Sequence, residues 1–184
     1  MLGQQTQPQT QIKWLSIHHG KVELSDNGQK QLFSYVEGRN ISIYKRERNY
    51  NGEAVLKWFI NLRDDEGDLY SISFPYNSGT FKSVVLALAS ATDLTSSTAI
   101  KIHPYQKGNF TNVVVYADGA KLDWAVRELP PVEYVSINGQ RIKDEAKRME
   151  LITSYVASIN ERAKRKENGN MILPSNNDNN NNTI

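Results

Sequence analysis

Hydrophobic and polar positions alternate along most of the first 126 residues, and the period changes where the alternation stops. Ile12–Ile17 reads as a strand, the His18-His19-Gly20 turn leads into Lys21–Leu24, and Ser25-Asp26-Asn27-Gly28 is a second turn signal. Gln29–Glu37 leads into Asn40–Glu47, where Ile41 and Ile43 share one face and Ser42, Tyr44 and Arg46 the other. Asn51-Gly52 is a hairpin signal. In Glu53–Arg63 the positions Ala54, Leu56, Trp58, Ile60 and Leu62 form an apolar face, against a mixed face of Val55, Lys57, Phe59 and Asn61. An acidic turn, Asp64–Asp68, precedes a third strand at Leu69–Phe74, whose inward face the pattern leaves open.

The period then becomes helical. Phe81, Val84, Val85, Leu88 and Ala91 recur on one helix face, with Ser78 or Thr80 placed to cap its start. Strands return at Ala99–His103 and Asn112–Tyr116, and Asp118-Gly119 turns into Lys121–Val126. The predicted fold is mainly β: a five-stranded OB-fold barrel over 12–129, with one helix between its third and fourth strands. Pro130-Pro131 marks a boundary, Val132–Ile137 a short extra strand. From Ile142 to Lys166, Ile142, Ala146, Met149, Ile152, Tyr155 or Val156, Ile159 and Ala163 predict a C-terminal amphipathic helix. Residues 1–11, rich in Gln and Thr, and the Asn-rich tail from 168 are expected to be disordered.

Composition narrows the function classes. The net charge of +2 carries no histone-like bias, so nucleic-acid binding has to come from a local patch. There is no cysteine, which removes disulfides and thiolate metal sites. Three histidines without metal spacing give no metal site, and no apolar run reaches the length of a membrane span. The N-terminus has neither a basic nor an apolar leader region, so a cytoplasmic protein is expected. Ser78–Ser83 lacks the spacing of a phosphate-binding loop and reads as a helix start. No catalytic carboxylate pair or Ser/His/Asp set stands out. The expectation is therefore a protein that is not an enzyme and uses no cofactor.

What remains is a face and two loops. With the isoleucines and Trp58 inward, Tyr44, Arg46, Lys57, Phe59, Lys101 and His103 point outward. Arg48 and Tyr50 fall in the loop Arg46–Gly52, and Tyr105, Lys107 and Phe110 in the loop Pro104–Phe110. Any half-buried sheet carries Tyr and Lys on its wet face. The conjunction of cations and aromatics in both loops is what suggests a surface that grips a single strand of nucleic acid.

The stretches WLSIHHGKV (14–22), LKWFINLRDDEGDLYSISFPYNSG (56–79) and IKIHPYQKGNFTNVVVYADGAKLDW (100–124), in that order, resemble the phage-encoded single-stranded DNA-binding proteins, including those of crAss-like phages. The resemblance covers about residues 12–126. It implies single-stranded DNA as partner, a role in DNA replication, recombination or repair, and the host cytoplasm as location. Bacterial relatives in function often end in an acidic, hydrophobic-tipped tail, whereas this chain ends NNDNNNNTI. The helix 142–166 is then the candidate for binding replication proteins or for self-association. A self-associating structural β-barrel and an RNA-binding OB protein stay open as alternatives.

Overall fold

The computed structural model describes residues 11–26 and 28–165, so the expectations for residues 1–10 and for the Asn-rich tail lie outside the described residues. In chain order the elements are β1 (Ile12–His18), β2 (Lys21–Asp26), β3 (Gln29–Phe33), β4 (Val36–Tyr50), β5 (Glu53–Arg63), β6 (Leu69–Pro75) and α1 (Gly79–Ser90). They continue as β7 (Ile100–Lys107), β8 (Phe110–Ala117), β9 (Ala120–Lys121), β10 (Glu133–Ile137), β11 (Gln140–Asp144) and α2 (Ala146–Ala163). The protein is mainly β, as the alternation predicts. Its main sheet, however, runs through nine strands in the order β3-β2-β1-β6-β5-β4-β7-β8-β9 and does not close on itself. β1 lies parallel to β6 and brings β2 and β3 with it as antiparallel neighbours. The N-terminal strands thus extend the sheet from β6.

Turn chemistry sets the registers. His19-Gly20, Asn51-Gly52, Asp118-Gly119 and Asn138-Gly139 each have positive φ at both residues, the conformation of a two-residue hairpin loop matched to strand twist. β4 is long and bent. Its register against β5 shifts between Arg39 and Ser42, and Asn40 has φ 52°. At the bend Gly38 passes so close to β5 that a Cβ there would sit 2.6 Å from the Arg63 carbonyl oxygen. Before the bend β4 pairs with β7, over Val36–Gly38; after it, pairing continues with β5 alone.

The edge of β4 left open beyond the bend is taken by α2. Asn160 accepts from the Ile43 N–H at 2.8 Å and donates to the Ile43 carbonyl at 2.7 Å, standing in for a neighbouring strand. Met149, Ile152, Val156, Ile159 and Ala163 join the core formed by Trp58, Ile60, Leu62, Ile72, Phe74 and α1. The apolar stripe expected for this helix therefore lies against β4 and α1. α1 ends without a cation of its own, and Arg162 donates instead to its terminal carbonyls at Leu88, Ala89 and Ala91. Burial, and then the neighbouring Arg165, lower the Arg162 pKa from the usual arginine value. The Ser78 hydroxyl caps α1 by accepting from Phe81 N–H at 3.2 Å, as the sequence suggests.

The start of α2 and the inner face of β5 differ from expectation. The C-terminal helix starts at Ala146 and not Ile142, because the Asn138-Gly139 turn pairs Ile142 with Val135 and leaves Ile142 42% exposed on a separate hairpin, β10–β11. On β5, Trp58, Ile60 and Leu62 are buried as read, but Ala54 is exposed and Leu56 only half-buried, since the β4–β5 hairpin extends past the core. No helix among the described residues is long and apolar enough to cross a membrane.

Candidate nucleic-acid interface

Strand register decides which side chains share the face opposite the core. Tyr44 stands opposite Phe59 and Arg46 opposite Lys57 on β4–β5. Phe59 stands opposite Ser73 on β6, and Ser71 opposite Trp14 on β1. Strict alternation puts Trp14, Tyr44, Arg46, Lys57, Phe59, Ser71 and Ser73 on one face. At its centre Tyr44 stacks on Phe59, centroids 5.2 Å apart and planes 14° apart, while Trp14 meets Phe59 edge-on at 6.0 Å. The Arg48 guanidinium sits 5.2 Å from the Trp14 ring centre and 5.7 Å from that of Phe59. These are distances at which cation–π attraction acts.

This arrangement corrects the reading of Phe59. Its side chain points to the outer face as the alternation requires, but only 3% of the residue is exposed. Tyr44 and Trp14 cover it, and they are 37% and 42% exposed. Phe59 is the floor of the cluster, while Trp14 and Tyr44 present open ring surface. Trp14 was not among the sequence candidates. Its signal was the alternation of Trp14, Ser16 and His18 against Lys13, Leu15 and Ile17, whose meaning depends on β1 docking beside β6. Two buried polar atoms, Ser71 Oγ and Asn61 Oδ1, lie on this face at opposed positions of β5 and β6 without a hydrogen-bond partner among the described residues.

The charge on the projecting hairpin is uneven. Lys45, Arg46, Arg48 and Lys57 stand against Glu47 and Glu53. Arg46, Arg48 and Lys57 make no ion pair among the described residues. The two expected loops are largely strand. Arg46, Arg48 and Tyr50 belong to β4, and Pro104, Tyr105 and Lys107 to β7, because the turns that join these strands need only two residues. Tyr50, at the tip, is 68% exposed.

Lys101 is placed differently from the β4–β5 cations. Its Nζ is 3.0 Å from Glu37 and 4.6 Å from the centre of the Tyr35 ring, and the Glu37 hydrogen bond raises its pKa above the usual lysine value. His103 lies on the same strand, opposite Val114, and Phe110 opens β8 opposite Lys107. The β1–β2 turn links this half of the sheet to the aromatic cluster. Gly20 packs against the β7 backbone so tightly that a Cβ would lie 2.4 Å from Gln106 N, and its N–H donates to Thr111 Oγ1 at 3.2 Å. Beside it a cleft of about 360 Å³ is lined by Ser16, His18, Lys57, Ser73 and Thr80, among others.

Asp64, Glu66 and Asp68 bring carboxylate oxygens within 4.8 Å of one another. The turn is satisfied from within the protein. Asp64 accepts from the Glu66 and Asp68 N–H groups and from Tyr70 Oη, and Lys13 supplies the cation at Asp68, 2.5 Å away. Desolvation pushes the Asp64 pKa up, but the hydrogen bonds from Tyr70 and the two backbone N–H groups outweigh it and hold the carboxyl below its ordinary value. Comparison with family models, with curated proteins and with solved structures finds no match to the chain.

Proposed function

We propose that the protein binds single-stranded DNA with little sequence preference, on the face built by β1, β6, β5 and β4. The observation that carries this is the Trp14–Tyr44–Phe59–Arg48 cluster flanked by Arg46 and Lys57, cations that make no ion pair among the described residues. Each exposed ring offers a π-face to any base, worth about 1–3 kcal/mol per stacked base. Each cation that meets a phosphate releases a counterion, which adds affinity without reading sequence. The strand order β6-β5-β4-β7-β8, with α1 between β6 and β7, supports an OB-type domain in which β1–β3 stand beside β6, where a five-stranded barrel would close. A role in phage DNA replication, recombination or repair belongs to the same proposal.

A second reading, self-association, is favoured by the sheet edge at β3, where Leu32 is 63% and Phe33 44% exposed. One titration separates them. Labelled oligo-dT should bind with micromolar or tighter affinity at low salt, weaken steadily as salt rises, and resist competition by duplex. An RNA competitor of the same length tests the choice of DNA. No binding at low salt, or tighter binding to duplex, would overturn the proposal, and concentration-dependent assembly without binding would favour the second reading.

A further inference from the structure

Thr80, at the start of α1, lines the cleft that holds Lys57 and His18 and also a second, larger cleft of about 590 Å³. The second cleft carries the same two kinds of side chain as the outer face. Phe110 and Trp124 line it with 76% and 51% of their surfaces exposed. Lys82, Lys143 and Arg148 also line it, and all three share the single carboxylate of Glu145, at 3.0, 2.8 and 3.9 Å. Lys82 and Glu145 form the buried pair of this group, with side chains 7% and 11% exposed, while Lys143 and Arg148 reach toward solvent at 54% and 25%. One carboxylate against three cations leaves a surplus of two positive charges beside two open aromatic rings.

We infer that a single strand bound on the outer face continues past Lys57 and His18 into this second cleft, where Lys143 and Arg148 meet phosphate and Trp124 or Phe110 takes a base. The inference rests on the single-strand reading above and extends it. Charge complementarity and continuity with the proposed face both point to the same occupant, the same polyanion carrying further bases. The outer face alone then serves a short oligonucleotide, and the second cleft is engaged only when the strand is long enough to pass Thr80.

The test uses the full chain and labelled oligo-dT of about 4 and about 16 nucleotides, the two ends of the site sizes known for such domains. Trp124→Ala should weaken binding of the long oligonucleotide by roughly 5- to 150-fold, the range for one lost stacking contact. Lys143→Gln should flatten the slope of log affinity against log salt for the long oligonucleotide by about 0.7, the value for one single-strand phosphate. Neither change should move the short one. Thermal unfolding is read beside both, and the exposed Lys143 keeps the test valid if Trp124→Ala fails to fold. Loss at both lengths alike, or at neither, overturns the second cleft. If the wild-type protein binds neither length, the single-strand reading itself fails and takes this extension with it.

Discussion

Replacing Asn160 by Ala removes the two hydrogen bonds that tie α2 to the open edge of β4. Ile43 pairs with Ile60 across β5, and its own N–H and C=O turn the other way, to Asn160 Oδ1 at 2.8 Å and Nδ2 at 2.7 Å. Ile43 is only 3% exposed, so water has poor access to both groups once the amide is gone. A buried backbone group left without a partner costs about 1–3 kcal/mol. Asn160 is itself only part-buried, which favours the lower part of the range. Two groups then cost about 2–4 kcal/mol, a large share of the roughly 5–15 kcal/mol that holds a domain together. For a chain of this size that is a drop in Tm of about 4–16 °C. Urea unfolding should show a lower midpoint at an unchanged slope, the mark of lost stability without a changed unfolded state. Asn160→Asp keeps an acceptor for the Ile43 N–H but sets a carboxylate oxygen against the Ile43 carbonyl. It should be at least as damaging at neutral pH and partly recover when the acid is protonated. A loss below about 0.5 kcal/mol in Asn160→Ala, the size of an ordinary surface change, would refute the view that α2 completes the sheet.

Phe59→Ala should act on the fold, costing about 3–5 kcal/mol in denaturant unfolding as a large-to-small buried change does, and a stability loss under 1 kcal/mol would contradict its place as floor of the cluster. Glu145→Gln should cost about 3–5 kcal/mol because it strands Lys82 in a buried site, and more than Lys82→Met, which leaves Glu145 still near Lys143 and Arg148; equal losses by chemical denaturation would count against this. Hydrogen bonding to Lys143 first, and then to Lys82, holds the Glu145 pKa below its ordinary value, so its contribution is present above about pH 4.5 and lost as pH falls through the lowered folded value. Stability measured from neutral to acid pH should decline less steeply in Glu145→Gln than in the wild type. Arg46→Gln should flatten the salt dependence of oligo-dT binding by about 0.7 while leaving thermal stability within about 0.5 kcal/mol.

Local rules carried much of the fold. The alternation on β5 placed Trp58, Ile60 and Leu62 inward, the Asn51-Gly52 turn closed the hairpin, and Ser78 capped α1, because each depends on residues a few positions apart. What was not legible depends on partners far along the chain. β1 pairs with β6 across more than fifty residues, and this parallel pairing opens the sheet to nine strands and lays Trp14 over Phe59. The apolar stripe of α2 could be read, but not the use of Asn160 as a substitute strand, since a single Asn beside the apolar stripe carries no periodic signal. Among the binding candidates, Tyr44, Arg46, Arg48 and Lys57 do share one face with the cluster. Lys101, read as an outward cation, pairs with Glu37, a contact that depends on β4 lying beside β7.

The proposed seating of bases on Trp14 and Tyr44, over a floor made by Phe59, is tested most directly by the affinity of Trp14→Ala for oligo-dT at fixed low salt. Trp14→Ala should lose about 1–3 kcal/mol of binding energy, with the protein still folded by circular dichroism. An affinity equal to the wild type in a folded Trp14→Ala protein would contradict it.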